Sequence, residues 1–229
     1  MPVGFFRDQK IRLIVTDPPY GVDYAGKNTY LNKTDRGHRI QRPIQNDKLT
    51  PEKTGAVFQA ALSVAIPHCE PAASCYATVP SGPLLFHFIQ AFNASGFDFR
   101  HLLVWVKHQF VIGMADYHYR HEPILYGWLP NGAHYFCDDR SQDSVFEVNK
   151  PQVSDLHPTT KPLELIARMI QNSARVGEVV YDPFAGSGTT LVAAHQLNRI
   201  GYAVEFDPRY IAVCLERLSN LGLEPSRVE

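Results

Sequence analysis

No stretch of the 229-residue chain is both long and uncharged enough to suggest a membrane-spanning helix. The first residues, Met1-Pro2-Val3-Gly4-Phe5-Phe6-Arg7, reach a charge too soon for a secretory signal. Cysteine is sparse. Cys69, Cys75, Cys137 and Cys214 form no C-x-x-C pair, which argues against a zinc ribbon or a dithiol redox centre. Reduced thiols in a cytoplasmic protein are the simpler expectation. Internal repeats and low-complexity tracts are absent. So is the general basic excess that many nucleic-acid-binding proteins carry, because the formal net charge is -1.

What is present is an ordinary soluble composition, 45% hydrophobic and 20% charged, with uneven charge. Between residues 27 and 42, Lys27, Lys33, Arg36, Arg39 and Arg42 face Asp35 alone, five against one, a local +4. A solvated loop explains this as readily as a phosphate-contacting one, in which neutralised phosphates release counterions.

Strand and helix signals alternate along the chain. Ile11-Arg12-Leu13-Ile14-Val15 is β-branched and apolar, and it runs into Thr16-Asp17-Pro18-Pro19-Tyr20. Two prolines end that strand, since neither can donate to a ladder. Residues 21–47 form a long polar loop of the kind that serves as a lid or binding loop. Helices are expected from Pro51 to about Ile66, from Pro83 to Ala94, after Pro162, from Thr189 to Leu197 and from Pro208 to Leu218. Strands are expected at 74–79, 99–107, 122–128, 179–181 and 201–205, with 129–156 irregular. The alternation predicts an α/β fold with a parallel sheet, helices on both faces, and ligands at the carboxyl ends of the strands.

Two segments carry chemistry. The first is Asp182-Pro183-Phe184-Ala185-Gly186-Ser187-Gly188-Thr189-Thr190, between a strand and a helix. Gly186 and Gly188 allow a ligand to approach the backbone, and the helix start beyond them favours a carboxylate. Leu191 stands where a dinucleotide fingerprint needs its third glycine, and no Gly-Lys-Ser/Thr follows, so neither a dinucleotide nor a P-loop reading holds. Asp182 would repel phosphate and suit an ammonium group. Glu205, at the end of the next strand, can accept from ribose hydroxyls. A ligand with an amine, a carboxylate and a ribose fits S-adenosylmethionine.

The second is Asp17-Pro18-Pro19-Tyr20. An exocyclic aromatic amine is a weak nucleophile because its lone pair is delocalised into the ring. Asp17 and the carbonyl of Pro18 could each accept one amino hydrogen and stabilise positive charge as it develops. The prolines Pro18 and Pro19 fix the backbone. Tyr20 offers a ring for base stacking, worth about 1–3 kcal/mol. A base within a duplex would have to flip out to reach this turn.

With both segments in view, the chain resembles the DNA amino-methyltransferases that act on adenine N6 or cytosine N4. The order, catalytic turn first and cofactor loop last, is similar to that family's beta arrangement. The resemblance rests on Asp17 to Tyr24, Trp105-Val106-Lys107, His121 to Trp128, His157-Pro158-Thr159-Thr160-Lys161-Pro162, and Asp182 to Thr190. It looks most like methylases of phages and mobile elements. It implies a Rossmann-like methyltransferase fold: a mostly parallel sheet with an antiparallel edge strand, in one domain spanning 1–229. Residues 1–107 would be the catalytic region, 108–156 a strand with the target-recognition segment, and 157–229 the S-adenosylmethionine-binding region. Thr159 and Lys161 would touch the methionine end of the cofactor. Such enzymes usually carry a helix and strand ahead of the catalytic strand. Only ten residues precede Ile11 here, so one edge strand is expected to be lacking.

The resemblance implies double-stranded DNA as partner, with Lys27, Lys33, Arg36, Arg39 and Arg42 on its phosphates. The oligomeric state is open, a homodimer being one form. Asp at the head of the turn favours adenine N6, since Ser more often stands there in the cytosine-N4 members. It also argues against a protein-glutamine methyltransferase, where Asn is usual. No Pro-Cys pair supplies the thiolate that a cytosine-C5 route requires. His118 and His121, with His108, His134 and Glu122 near in sequence, lack a fixed ligand set, so no metal is expected. The alternative is an N-terminally shortened, weakly active or inactive DNA-binding remnant.

Overall fold

The computed structural model describes residues 5–21, 49–110, 116–149 and 161–227, together with the separate positions 26, 29, 32 and 33. Loop residues Lys27, Arg36, Arg39 and Arg42, and Thr159, lie outside the described residues. Lys33 is described and exposed.

Seven strands form one sheet: β1 (Ile11–Thr16), β2 (Cys69–Thr78), β3 (Asp98–Val106), β4 (His121–Trp128), β5 (Val145–Glu147), β6 (Val179–Asp182) and β7 (Ile200–Ala203). Their spatial order is β5-β3-β4-β2-β1-β6-β7. Among the described residues, five continuous helices accompany them: α1 (Pro51–Ala65), α2 (Leu84–Ala94), α3 (Leu163–Ser173), α4 (Thr189–Gln196) and α5 (Pro208–Ser219). Helix α1 begins as its sequence suggests, with Thr50 Oγ1 accepting from Lys53 N and Pro51 in the first turn. A single turn, Ile66–His68, carries the chain from α1 into β2.

The core has two layers, one on each face of the sheet. Phe58, Leu62, Phe88 and Phe92 of α1 and α2 cover one face, against Ile14, Cys75 and Ala77. Leu165, Ile166, Met169 and Ile170 of α3, with Ala193 and Ala194 of α4, cover the other, against Leu13, Val15 and Tyr76. Strands buried on both faces read as continuous apolar runs, which is why 11–15 shows no alternation. A register shift between Ile11 and Leu13 puts Ile11 in the first layer beside Ile14, while Leu13 joins the second. At that irregularity Arg12 pairs with Glu70 and, at 3.4 Å, with Glu178.

Strand β4 is the reversed strand, antiparallel to both β2 and β3. It stands inside the sheet and not at its edge as expected. The cause is β5, which adds beyond β3 in parallel and takes the edge position. The physical signal for β5 is weak: three residues within a polar, irregular segment.

Helices α1 and α4 lie on opposite faces, so the chain winds away from the centre in opposite directions at the β1–β6 boundary. That is the topological switch point, and in such sheets the ligand crevice opens there, outside the carboxyl ends of the strands. The residues at those ends are Thr78 on β2, Thr16 and Asp17 on β1, and Asp182 on β6. Among the described residues, no helix is long and apolar enough to cross a membrane.

Candidate active site

Asp17 follows the last residue of β1, and adjacent strands supply its partners. Its Oδ1 accepts from Tyr20 Oη at 2.9 Å and from Thr78 Oγ1, on neighbouring β2, at 2.5 Å. Its Oδ2 accepts from Lys161 Nζ at 2.6 Å. A carboxylate offers about four lone-pair sites. These three donors leave one, on Oδ2. The carboxylate is thus aimed by three donors while keeping an acceptor position, with its side chain 26% exposed. Pro18 beside it is buried and Pro19 is half-buried.

Tyr20 is placed differently from the sequence expectation. The residue is 8% exposed, and its ring sits edge-on to Phe88 at 6.1 Å and lies 5.7 Å from Lys161 Nζ. In this arrangement it braces Asp17 through its hydroxyl; it is not an open platform for a base.

Lys161, assigned by resemblance to the methionine end of a cofactor, lies just ahead of α3 and contacts the Asp17 turn. It also lies 3.3 Å from Glu122 Oε2, while Lys107 Nζ donates to Glu122 Oε1. The four groups form an alternating chain, Lys107–Glu122–Lys161–Asp17. Burial would raise the Glu122 carboxyl, but the charges of the Lys161 and Lys107 ammoniums, with the Lys107 hydrogen bond, outweigh it and hold it at about 2.

The glycine turn is built around Asp182. Its Oδ1 accepts from Thr16 Oγ1 at 2.9 Å and Phe184 N at 3.0 Å, and its Oδ2 from Thr190 Oγ1 at 2.7 Å. The buried carboxylate therefore ties β1, the turn and α4 together, an internal duty ahead of any contact with a ligand ammonium. Burial raises its pKa to about 6. The hydrogen bonds from Thr190, Phe184 and Thr16 pull against that rise, and the charge of Asp17 adds to it.

The folded-state pKa of Asp182 lies above the ordinary aspartate value of 3.8, so between roughly pH 4 and 6 the native state binds the extra proton. Stability from this group is fullest below that window and declines as pH rises through it, by about 3 kcal/mol for a shift of about two units. Asp182→Asn does not titrate. The stability of wild type minus that of Asp182→Asn, from urea unfolding at successive pH values, should fall across this range; a flat or rising difference contradicts the assignment.

Gly186 and Gly188 have φ of +51° and +76°, the left-handed region that glycine enters without strain. Phe184, Ala185 and Gly186 are partly exposed, whereas Ser187, Gly188, Thr189 and Thr190 are buried. Of the residues assigned to a cofactor from the sequence, the first three form the accessible edge. The buried ones support it, and Thr190 does so by holding Asp182. Arg217 of α5 adds a brace that the sequence did not suggest. Its Nη1 donates to Ser187 O at 2.7 Å, and to Ser187 Oγ and Thr189 Oγ1 at 3.1 Å each.

Glu205 lies two residues past the end of β7 and not within the strand. Its Oε2 accepts from Gly186 N at 2.7 Å and its Oε1 from Asp207 N at 2.8 Å. One acceptor position is left on each oxygen. These acceptor positions fit a ligand that donates from neighbouring hydroxyls at Glu205 and lays an apolar or π surface on Phe184. Among the described residues, no cluster of three metal-ligating side chains exists. All four cysteines are free; burial pushes Cys75 well up and Cys69 to about 12.

The crystal structure of an M1.HpyAVI–SAM complex matches this chain with a TM-score of 0.67, at 19% identity, covering 93% of this chain and 92% of that one. The fold is the Rossmann-like one of S-adenosylmethionine-dependent methyltransferases. A family model described as a DNA methylase, of N6/N4 type, matches residues 11–216, through both the Asp17 turn and the Asp182 loop. The chain belongs to that family. The type II methyltransferase M.BglII of Bacillus subtilis is 25% identical over 93% of this chain and 65% of its own length. M.HpaI of Haemophilus parainfluenzae, also a type II methyltransferase, is 29% identical over 93% of this chain and 69% of its own length. The chain therefore spans about two thirds of the length of these relatives.

Proposed function

We propose that the protein transfers a methyl group from S-adenosylmethionine to the exocyclic amino group of a flipped base in double-stranded DNA, adenine N6 in preference to cytosine N4. The observation that carries this reading is Asp17: a carboxylate fixed by Tyr20, Thr78 and Lys161, with one acceptor position left on Oδ2. Family membership supports the reaction class, and the relatives M.BglII and M.HpaI are type II methyltransferases. The cofactor supplies an electrophilic sulfonium methyl. Glu205 takes the ribose hydroxyls, and Phe184 to Gly186 line its path. Asp182 and Arg217 keep that turn in shape from behind.

The substrate amino group donates one hydrogen to the open Oδ2 position of Asp17 and the other to the Pro18 carbonyl. The methyl's bond to sulfur breaks as its bond to nitrogen forms; as the nitrogen becomes positive the fixed carboxylate stabilises it without reorganising, and one amino proton then leaves to solvent. Asp, with a full negative charge, suits this better than a neutral hydroxyl, which supports adenine through the family pattern. Residues 1–107 serve as the catalytic region, 157–229 as the cofactor region, and 108–156 contributes to target recognition. The intact Asp17 and Asp182 networks lend no support to an inactive remnant.

The base is decided by incubating the protein with S-adenosylmethionine and mixed-sequence duplex DNA, then digesting the product for nucleoside mass spectrometry. N6-methyladenine is expected, and N4-methylcytosine in its place would reverse the preference. The basic loop makes a separate prediction. Replacing Lys33, Arg36 and Arg39 with alanine should flatten the slope of log affinity against log salt by about 0.9 for each lost phosphate contact. An unchanged slope returns that loop to a solvated surface.

A further inference from the structure

The chemistry at Asp17 leaves Glu122 unexplained. Glu122 is the second residue of β4, and β4 is the reversed strand. Reversal brings the start of β4 to the same end of the sheet as the carboxyl ends of β1 and β2. The backbone there is held on both sides: Lys107 N donates to Arg120 O at 2.8 Å and Val79 N to Pro123 O at 3.0 Å. Glu122 stands opposite Trp105 in the ladder. Its side chain is 17% exposed, between those of Lys107 at 8% and Lys161 at 9%.

Burying charges is costly, and an ion pair replaced by apolar residues often leaves a protein as stable or more so. Stability alone therefore explains this chain of four charges poorly. Its geometry points to Asp17. Lys161 paired with Asp17 alone would place a full positive charge against the acceptor, where positive charge must also develop on the substrate nitrogen. With Glu122 present, the Lys161 ammonium lies between two carboxylates, 2.6 Å from one and 3.3 Å from the other. The four groups then sum to zero. Loss of the Glu122 charge leaves a net +1 beside Asp17.

We propose that Glu122 is a positioning residue of the active site. By sharing the Lys161 ammonium with Asp17, it preserves the negative potential of the open Oδ2 acceptor position toward the substrate amino group. This rests on the methyl-transfer reading above, and three variants separate the two. Glu122→Gln, nearly isosteric but neutral, should lower kcat on the order of 10- to 100-fold, while KM for S-adenosylmethionine stays within about twofold. Glu122→Asp, shorter but charged, should retain more kcat than Gln. A purely structural role predicts the opposite order, since Gln fills the site better; Gln equal to or above Asp overturns the proposal. In the Lys161→Met background Glu122→Gln should cost little further kcat, because the cation that links it to Asp17 is already gone while Lys107 touches only Glu122, and a full additive loss contradicts action through Lys161. Thermal unfolding of each variant in parallel identifies any kcat loss that only tracks unfolding, which would also count against the proposal.

A second readout does not need activity. The side-chain 15N signal of the Lys161 ammonium, assigned by its loss in Lys161→Met, should shift in both Asp17→Asn and Glu122→Gln. A shift in the first without the second means that Glu122 does not share the cation. Absence of methyl transfer by the wild type would instead count against the proposed reaction, and the ammonium shifts would still decide whether the cation is shared.

Discussion

Asp17→Ala is expected to lower kcat for methyl transfer by on the order of 100- to 1000-fold, about 3–4 kcal/mol of transition-state stabilisation. The dissociation constant for S-adenosylmethionine should change by less than about threefold. The reason for the split is spatial. Asp17 belongs to the end of β1 and takes its donors from Tyr20, Thr78 and Lys161. The cofactor turn is held by a different carboxylate, Asp182, through Thr16, Phe184 and Thr190. Removing the Asp17 carboxylate leaves those three bonds in place. It deletes the acceptor that is matched to a nitrogen gaining positive charge, an interaction made mainly in the transition state, so the loss falls on kcat. Single-turnover kinetics and calorimetric titration check the two halves. Equal loss of methyl transfer and cofactor affinity would remove Asp17 from the role of amino-group acceptor.

Gly188→Ala should lower the melting temperature by roughly 5–15 °C and weaken cofactor binding. Two costs combine. At φ +76° an L side chain occupies the left-handed region, at about 1–2 kcal/mol. The added Cβ would also lie 2.3 Å from Cys214 Sγ and 3.1 Å from Cys214 Cβ, on the buried face of α5. Overpacking of this kind costs about 1–3 kcal/mol, and each kcal/mol moves the melting point of a domain this size by about 2–4 °C. Either the turn or α5 must shift, and Arg217 couples α5 to Ser187 and Thr189, so the cofactor edge shifts with it. Adding Cys214→Ala to Gly188→Ala removes the closest contact and should recover part of the lost stability, leaving the backbone strain. No recovery in the double variant would mean that the overlap with Cys214 is not the cause.

Both predictions concern segments that were readable in the sequence, because their signals are local. A β-branched run ending in two prolines marks a strand end, and glycines at 186 and 188 mark a turn with positive φ. The alternation of strands and helices gave the layered sheet for the same reason. What stayed hidden depends on contacts distant in sequence. Thr78 is an ordinary strand-terminal threonine until β2 lies beside β1. Glu122 stood within a family motif, but its position at the catalytic end follows from the reversal of β4, which no local pattern records. Strand β2 begins at Cys69, earlier than expected, since Pro71 interrupts the run that would have announced it. Glu205 was assigned to the end of a strand that stops at Ala203, although its carboxylate still reaches Gly186. Tyr20 was read as a stacking surface because an aromatic ring shows its chemistry in sequence but not its burial.

The central claim, methyl transfer to a DNA base amino group at the Asp17 turn, is tested most directly by incubating methyl-labelled S-adenosylmethionine with duplex DNA and either wild type or Asp17→Ala. Label recovered in a base amino group with wild type, and reduced at least 100-fold with the variant, is the expected result. DNA left unlabelled by the wild type, or labelled equally by both proteins, would contradict the account.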